Sequence, residues 1–143
     1  MFSNFFQKTL NKIGFDDLQR ALVSPDRYII INTLPTTEQR CLIQNTIPYD
    51  TEEEIINAII DNGDFNKKRI IVYGRNTNDE TAEKKYNQLR TLGFTEIYLY
   101  SGGLFEWLLL QDIYGKDDFP TNKIIHDILV FRPERNKMFS IHH

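Results

Sequence analysis

Short apolar runs alternate with helix-like patterns along this chain. Runs rich in β-branched residues predict buried strands at 28–31, 69–73 and 96–100, with a weaker candidate at 42–47. Apolar residues at helical spacing predict helices at 15–22, 51–61, 79–92 and 104–114. Strands that are covered on both faces and separated by helices are typical of α/β proteins, so the pattern predicts an α/β fold with a mostly parallel sheet.

Polar residues indicate where two of these helices begin. Asp50 and Thr51 offer capping oxygens to the second helix. Thr77 and Glu80 have the S/T-x-x-E spacing of a capping box ahead of the third helix. The loop at 74–78 is therefore expected to open onto a helix N-terminus.

The two ends of the chain are assigned separately from the predicted domain. An amphipathic helix is predicted over residues 1–12, because a stripe of apolar residues recurs there at helical spacing. That stripe comprises Phe2, Phe5, Phe6, Leu10 and Ile13. The domain is predicted over 13–115, and residues 116–143 are predicted to form a C-terminal extension that packs on the domain or trails it.

Composition and charge narrow the possible functions. A chain of 143 residues has the size of one domain. The chain has a net charge of −3 and its basic residues are dispersed. It therefore lacks the positive surface that binding of nucleic acid requires. No apolar run approaches the roughly 20 residues of a membrane span, and no signal-peptide pattern is present, so we expect a cytoplasmic protein. The single cysteine, Cys41, excludes an internal disulfide and a cysteine-based metal site, and we expect no cofactor.

Three motifs carry a resemblance to a known family. They are the strand segment from Arg27 to Asn32, the sequence TIPY from Thr46 to Tyr49, and the pair LGF at 92–94 and SGGLFEW at 101–107. In this order and spacing they resemble the rhodanese-like domain, which is related by fold to rhodanese sulfurtransferases and cell-cycle phosphatases. The resemblance implies a three-layer α/β/α sandwich around a five-stranded, mostly parallel sheet, with the active loop between the fourth strand and the following helix.

The resemblance fails at the residue that carries the family's chemistry. Members that transfer sulfur have a cysteine after a V-Y pair, and converging loop amides stabilise its thiolate or persulfide. Here Tyr73 is followed by Gly74, although Arg75 keeps the family's residue type. Asp79 and Glu80 add negative charge where the family commonly has an arginine and a small residue.

The loop that corresponds to the active loop is therefore predicted to be vestigial. It comprises Gly74, Arg75, Asn76, Thr77, Asn78 and Asp79. Its backbone amides remain candidates for holding a small anion or a partner's carboxylate.

The sequence thus predicts an inactive rhodanese-like domain, a pseudoenzyme, that acts as a protein-binding or regulatory module for an unidentified protein partner. One alternative is an active sulfurtransferase in which Cys41 or a partner's thiol carries the sulfur. A second alternative is an assembly or scaffold protein, with homo-oligomer formation through the N-terminal helix and the tail from Phe131 to Ile141. His126 is isolated, and Glu52 to Glu54 are expected on a solvated first helical turn, so neither predicts a catalytic or metal site.

Overall fold

The alternation of strands and helices predicted from the sequence is present in the computed structural model, which describes residues 9–134. The strands are β1 (Lys12–Ile13), β2 (Tyr28–Asn32), β3 (Arg69–Tyr73) and β4 (Ile97–Tyr100). The α-helices are α1 (Phe15–Leu22), α2 (Tyr49–Asn62), α3 (Glu80–Leu92) and α4 (Gly103–Tyr114). Short 3-10 helices occur at Pro25–Arg27, Thr36–Glu38 and Ile128–Phe131.

The strands form one parallel sheet in the order β1-β4-β3-β2. Alternate residues of the strands point to opposite faces, as the period of two requires. Ile30 and Ile71 lie in a core cluster with residues of α1 and α4, whereas Ile31 and Val72 lie in a second cluster with residues of α2 and α3. Helices thus cover both faces, and the predicted parallel α/β sandwich is confirmed.

The described residues form four strands in this sheet, where five were predicted. The weak candidate at 42–47 contributes one parallel bridge, between Thr46 and Ile30. Asn45 has a positive φ of 70°, which is incompatible with an extended strand. Ile43 forms an antiparallel bridge with Thr121 of the C-terminal segment. The segment therefore borders the sheet without continuing it as a regular strand.

The helix predicted over residues 1–12 is wrong at its C-terminal end. Lys12 and Ile13 form β1, which pairs with Leu99 and Tyr100 of β4, and the Leu99 amide donates to the Asn11 carbonyl at 2.8 Å. Pairing with an existing strand edge satisfies backbone groups that a short helix would leave free. Residues 1–8, with Phe2, Phe5 and Phe6, lie outside the described residues.

Part of the C-terminal segment packs into the same core as α4. Phe119 and Phe131 are buried beside Trp107, and the Trp107 and Phe119 ring centroids are 5.0 Å apart. The Trp107 indole N–H donates to the Pro120 carbonyl at 3.1 Å. These contacts bring the chain back to the carboxyl edge of the sheet, where the loop after β3 lies.

Candidate functional site

The loop after β3 starts from a fixed strand end. Tyr73 is fully buried, and its hydroxyl accepts a hydrogen bond from the Ile43 amide at 3.1 Å and lies 2.8 Å from the Thr46 hydroxyl oxygen. Burial raises the pKa of this phenol, so Tyr73 stays neutral. Its role in the described structure is to anchor the strand.

Asp79 is the N-cap of α3. One carboxylate oxygen, Oδ1, accepts hydrogen bonds from the Thr81 amide at 3.0 Å and from the Thr81 hydroxyl at 2.6 Å. The predicted capping box of Thr77 and Glu80 is therefore wrong. Asp79 stands next to the first helical residue and is the residue type that caps best, so it takes this role.

The second carboxylate oxygen of Asp79 turns back into the loop. Oδ2 accepts a hydrogen bond from the Arg75 amide at 2.8 Å. A Cβ atom built on Gly74 would lie 2.6 Å from this oxygen and 3.1 Å from the Thr33 hydroxyl oxygen. The carboxylate thus occupies the space into which a side chain at position 74 would project, and it does so as an anion bound to a loop amide.

Asn76 forms further hydrogen bonds within and around the loop. The Asn76 side chain is buried; its oxygen accepts from the Asn78 amide at 2.9 Å, and its Nδ2 donates to the Phe131 carbonyl at 2.9 Å. The Asp79 amide donates to the Asn76 carbonyl at 3.2 Å. Thr77 is exposed at the loop tip. Asn76 therefore ties the loop to the C-terminal segment.

The N-terminus of α4 supports the loop from the other side. The Leu104 and Phe105 amides donate to the Gly74 and Arg75 carbonyls, both at 2.9 Å. This close approach depends on Gly103, which has a φ of +71° and lies so near that a Cβ there would be 2.8 Å from the Asn76 nitrogen. Gly103 is thus explained by backbone packing against the loop, whereas Gly102 lies against the Glu106 carboxylate.

The Arg75 side chain does not extend freely into solvent. Its guanidinium forms an ion pair with Glu38, on the 3-10 helix after β2, and lies 6.0 Å from the centroid of the Phe131 ring. The loop borders a cavity of about 430 Å³ whose lining includes Glu38, Asp79 and Glu80 with Arg75. Among the described residues that line this cavity, carboxylates outnumber cations, which opposes binding of a dianion such as thiosulfate.

Glu38, Phe131 and Glu134 were not identified from the sequence as residues of this site. Glu38 and Glu134 line the loop cavity, and Phe131 receives the hydrogen bond from Asn76. They are far from the loop along the chain, and no local pattern connects them to it. The sequence indicated negative charge at this site only through Asp79 and Glu80. Glu38 and Glu134 add two further carboxylates.

Cys41 lies outside this cavity. Its side chain is 1% exposed, and its Sγ donates to the Lys123 carbonyl at 3.2 Å. Burial raises the pKa of the Cys41 thiol above its ordinary value, although hydrogen bonds with Thr121 and Lys123 act in the opposite direction. A thiol of this kind is a small core residue that also holds the C-terminal segment.

We expect Cys41 of the native protein to react with iodoacetamide at pH 8 at least about a hundredfold more slowly than in concentrated urea, because only the exposed thiolate reacts. The raised pKa also makes the free energy of unfolding depend on pH. The contribution of Cys41 is fully present below the pKa of the unfolded thiol, and it is lost as the pH rises through the pKa of the folded thiol. Iodoacetamide labelling followed by mass spectrometry measures the reaction rate of the native protein and the rate in urea. Rapid labelling of the native protein would instead identify Cys41 as an accessible thiol.

The other candidate side chains do not converge on a reactive centre. His126 is exposed, and Glu52 forms an ion pair of 2.7 Å with Lys85. Within residues 9–134 no group of histidine, cysteine, aspartate and glutamate side chains is arranged to hold a metal ion. Over the same residues, no helix is both long enough and apolar enough to cross a membrane.

Comparison with known proteins agrees with this geometry. The family model described as "Rhodanese-like domain" matches residues 15–110. No curated protein matches the chain in sequence.

Solved structures of similar fold include proteins from bacteria and yeast. The BH2092 protein from Bacillus halodurans is 18% identical with a TM-score of 0.57, and the match covers 80% of each chain. The Alr3790 protein from Anabaena sp. is 23% identical with a TM-score of 0.54, over 82% of this chain and 97% of that one. The Saccharomyces cerevisiae single-domain sulfurtransferase RDL2 is 16% identical with a TM-score of 0.51, over 76% and 96%. At these sequence identities, the comparison with each solved structure shows a shared fold and nothing more.

Proposed function

The chain belongs to the rhodanese-like family, and we propose that it is a catalytically inactive member that acts as a protein-binding or regulatory module. Sulfur transfer in this family depends on a thiolate held by the amides of the loop after β3. Gly74 provides no nucleophile at that position.

The observation that carries the proposal is the position of the Asp79 carboxylate. It accepts a hydrogen bond from the Arg75 amide and fills the space above Gly74. A loop that in an active enzyme would stabilise an external anion here holds an anion of its own chain. The Asn78 amide is likewise bonded to Asn76. These internal partners favour a closed loop over the residual anion site suggested by the sequence.

The alternative of an active sulfurtransferase has weaker support. RDL2 is named as a sulfurtransferase, but its 16% identity concerns the fold, and the Cys41 thiol is buried away from the loop. A thiol supplied by a partner would meet the acidic cavity beside the loop. The cytoplasmic location and homo-oligomer formation stay predictions from the sequence.

We expect the purified full chain to show no cyanide-dependent thiosulfate sulfurtransferase turnover above that of a Cys41→Ser variant. The physical reason is that no described thiol lies among the backbone amides of the loop at 74–79. Steady-state formation of thiocyanate measures this. Turnover by the unmodified protein that Cys41→Ser abolishes would contradict the proposal and favour Cys41 as the sulfur carrier.

A further inference from the structure

Two adjoining cavities follow the carboxyl edge of the sheet, and together we call them the edge cleft. The first is the loop cavity of about 430 Å³ described above. The second, of about 620 Å³, lies between α2 and α3. Thr33 and Thr81 line both cavities, and their hydroxyl oxygens lie 2.9 Å apart between them. A ligand longer than one side chain can therefore contact both.

The loop cavity is suited to a cation. Among residues 9–134, the one basic residue that lines this cavity is Arg75, which is already paired with Glu38. Glu80 and Glu134 also line the cavity and are exposed, and neither forms an ion pair within residues 9–134. Within the described part of the chain these two carboxylates have no cationic partner, and they favour a Lys or Arg side chain over an anion.

The second cavity contains a buried donor without an acceptor. Asn32, at the end of β2, is 4% exposed, and its Oδ1 accepts from the Leu34 amide at 3.0 Å. Its Nδ2 has no hydrogen-bond partner among the described residues. A buried donor left unpaired is costly, so binding of a carbonyl oxygen at this donor would be favourable. Asn32 thus indicates a ligand that carries a hydrogen-bond acceptor.

The same cavity also offers apolar surface. Tyr49 is 58% exposed and Leu92 is 51% exposed, and both line it. Its charged residues are balanced in number, with Glu52 and Glu53 against Lys84 and Lys85. This end of the cleft therefore favours an uncharged ligand group with apolar and carbonyl character.

We propose that the edge cleft binds an extended segment of a partner protein in which a Lys or Arg is adjacent to an apolar residue. The cation enters the loop cavity, while the apolar side chain and a backbone carbonyl occupy the second cavity. A polypeptide can supply all three groups, whereas a small amine supplies only the first. This inference rests on the proposed binding function and specifies the chemistry of the partner.

The test is selection of phage-displayed random heptapeptides on the full chain, followed by fluorescence anisotropy with the selected peptide. We expect selected sequences to be enriched in Lys or Arg next to an apolar residue. Binding should weaken at least about tenfold in a Glu80→Gln/Glu134→Gln variant, since each factor of ten needs only the loss of about 1.4 kcal/mol. It should also weaken with added salt, because the exposed charges are screened.

A matched pair of substitutions provides the control. Glu54 and Glu83 are exposed on α2 and α3 but line neither cavity, so Glu54→Gln/Glu83→Gln should leave binding unchanged. Absence of enrichment, enrichment of acidic peptides, or equal losses in both double variants would overturn the inference. The proposed inactivity would survive each of these outcomes, since only sulfur transfer by the unmodified chain contradicts it.

Discussion

A thiol introduced at position 74 should stay poorly reactive while the Asp79 carboxylate is present, and should gain reactivity when that carboxylate is removed. In Gly74→Cys the new side chain meets Asp79 Oδ2, which a Cβ would approach to 2.6 Å. A neighbouring negative charge disfavours the thiolate and raises the thiol's pKa. Restoring the family's nucleophile alone is therefore insufficient.

The double variant Gly74→Cys/Asp79→Ser removes this obstacle while keeping a capping hydroxyl for α3. Loss of the like charge, together with a free Arg75 amide, lowers the pKa of the introduced thiol. At pH 7 we expect iodoacetamide to label the introduced thiol at least about tenfold faster than in Gly74→Cys. The pH dependence of the labelling rate gives the two pKa values.

The same double variant should react with thiosulfate faster than Gly74→Cys does, because it lacks one of the carboxylates that repel this dianion. The introduced thiolate attacks the outer sulfur, the sulfur–sulfur bond of thiosulfate breaks, and sulfite leaves with the bonding electrons, so that a persulfide remains on the protein. Gly74→Cys/Asn78→Ser is the matched control, because it changes an exposed loop residue and leaves Asp79 in place. Equal reactivity of the two double variants would show that the Asp79 carboxylate does not suppress the reactivity of a thiol at position 74.

Replacement of Gly103 by alanine should be strongly destabilising. Its φ is +71°, and a Cβ there would lie 2.8 Å from the Asn76 nitrogen and 2.9 Å from both the Asn76 Cα and the Gly74 carbonyl oxygen. These are backbone atoms that cannot rotate away. We expect Gly103→Ala to lower the free energy of unfolding by about 2–4 kcal/mol, from the strained conformation together with displacement of the loop. Urea unfolding measures the change.

Gly63 offers a control with the same backbone conformation. Its φ is also +71°, but no atom lies within 4 Å of the Cβ position. Gly63→Ala should therefore cost only about 1 kcal/mol for the left-handed conformation. The difference between the two variants isolates the contact of α4 with the loop. If both substitutions cost the same, the loop does not depend on this close approach.

Local patterns were sufficient for most of the fold. The β-branched runs at β2 and β3 identify buried strands because they need cover on both faces, and Gly63 and Gly93 end their helices in the left-handed region. The strand at Lys12–Ile13 was missed because its only support is distant pairing with β4. A two-residue strand carries no periodic signal of its own.

The candidate site was predictable only in part. The sequence predicted the loop after β3, with Gly74 at the position of the family's nucleophile, and it identified Asp79 as added negative charge. It did not indicate that the Asp79 carboxylate turns back to the Arg75 amide, because side-chain direction depends on the closed loop. The contributions of Glu38 and Phe131 arise from tertiary contacts that span much of the chain.

The central claim is that this rhodanese-like protein has no thiol able to accept sulfur. Intact-mass spectrometry of the unmodified full chain after incubation with thiosulfate tests it most directly. We expect the mass to be unchanged, since Cys41 is buried and Gly74 supplies no nucleophile. A gain of one sulfur atom, localised to Cys41 by peptide mapping, would contradict the account.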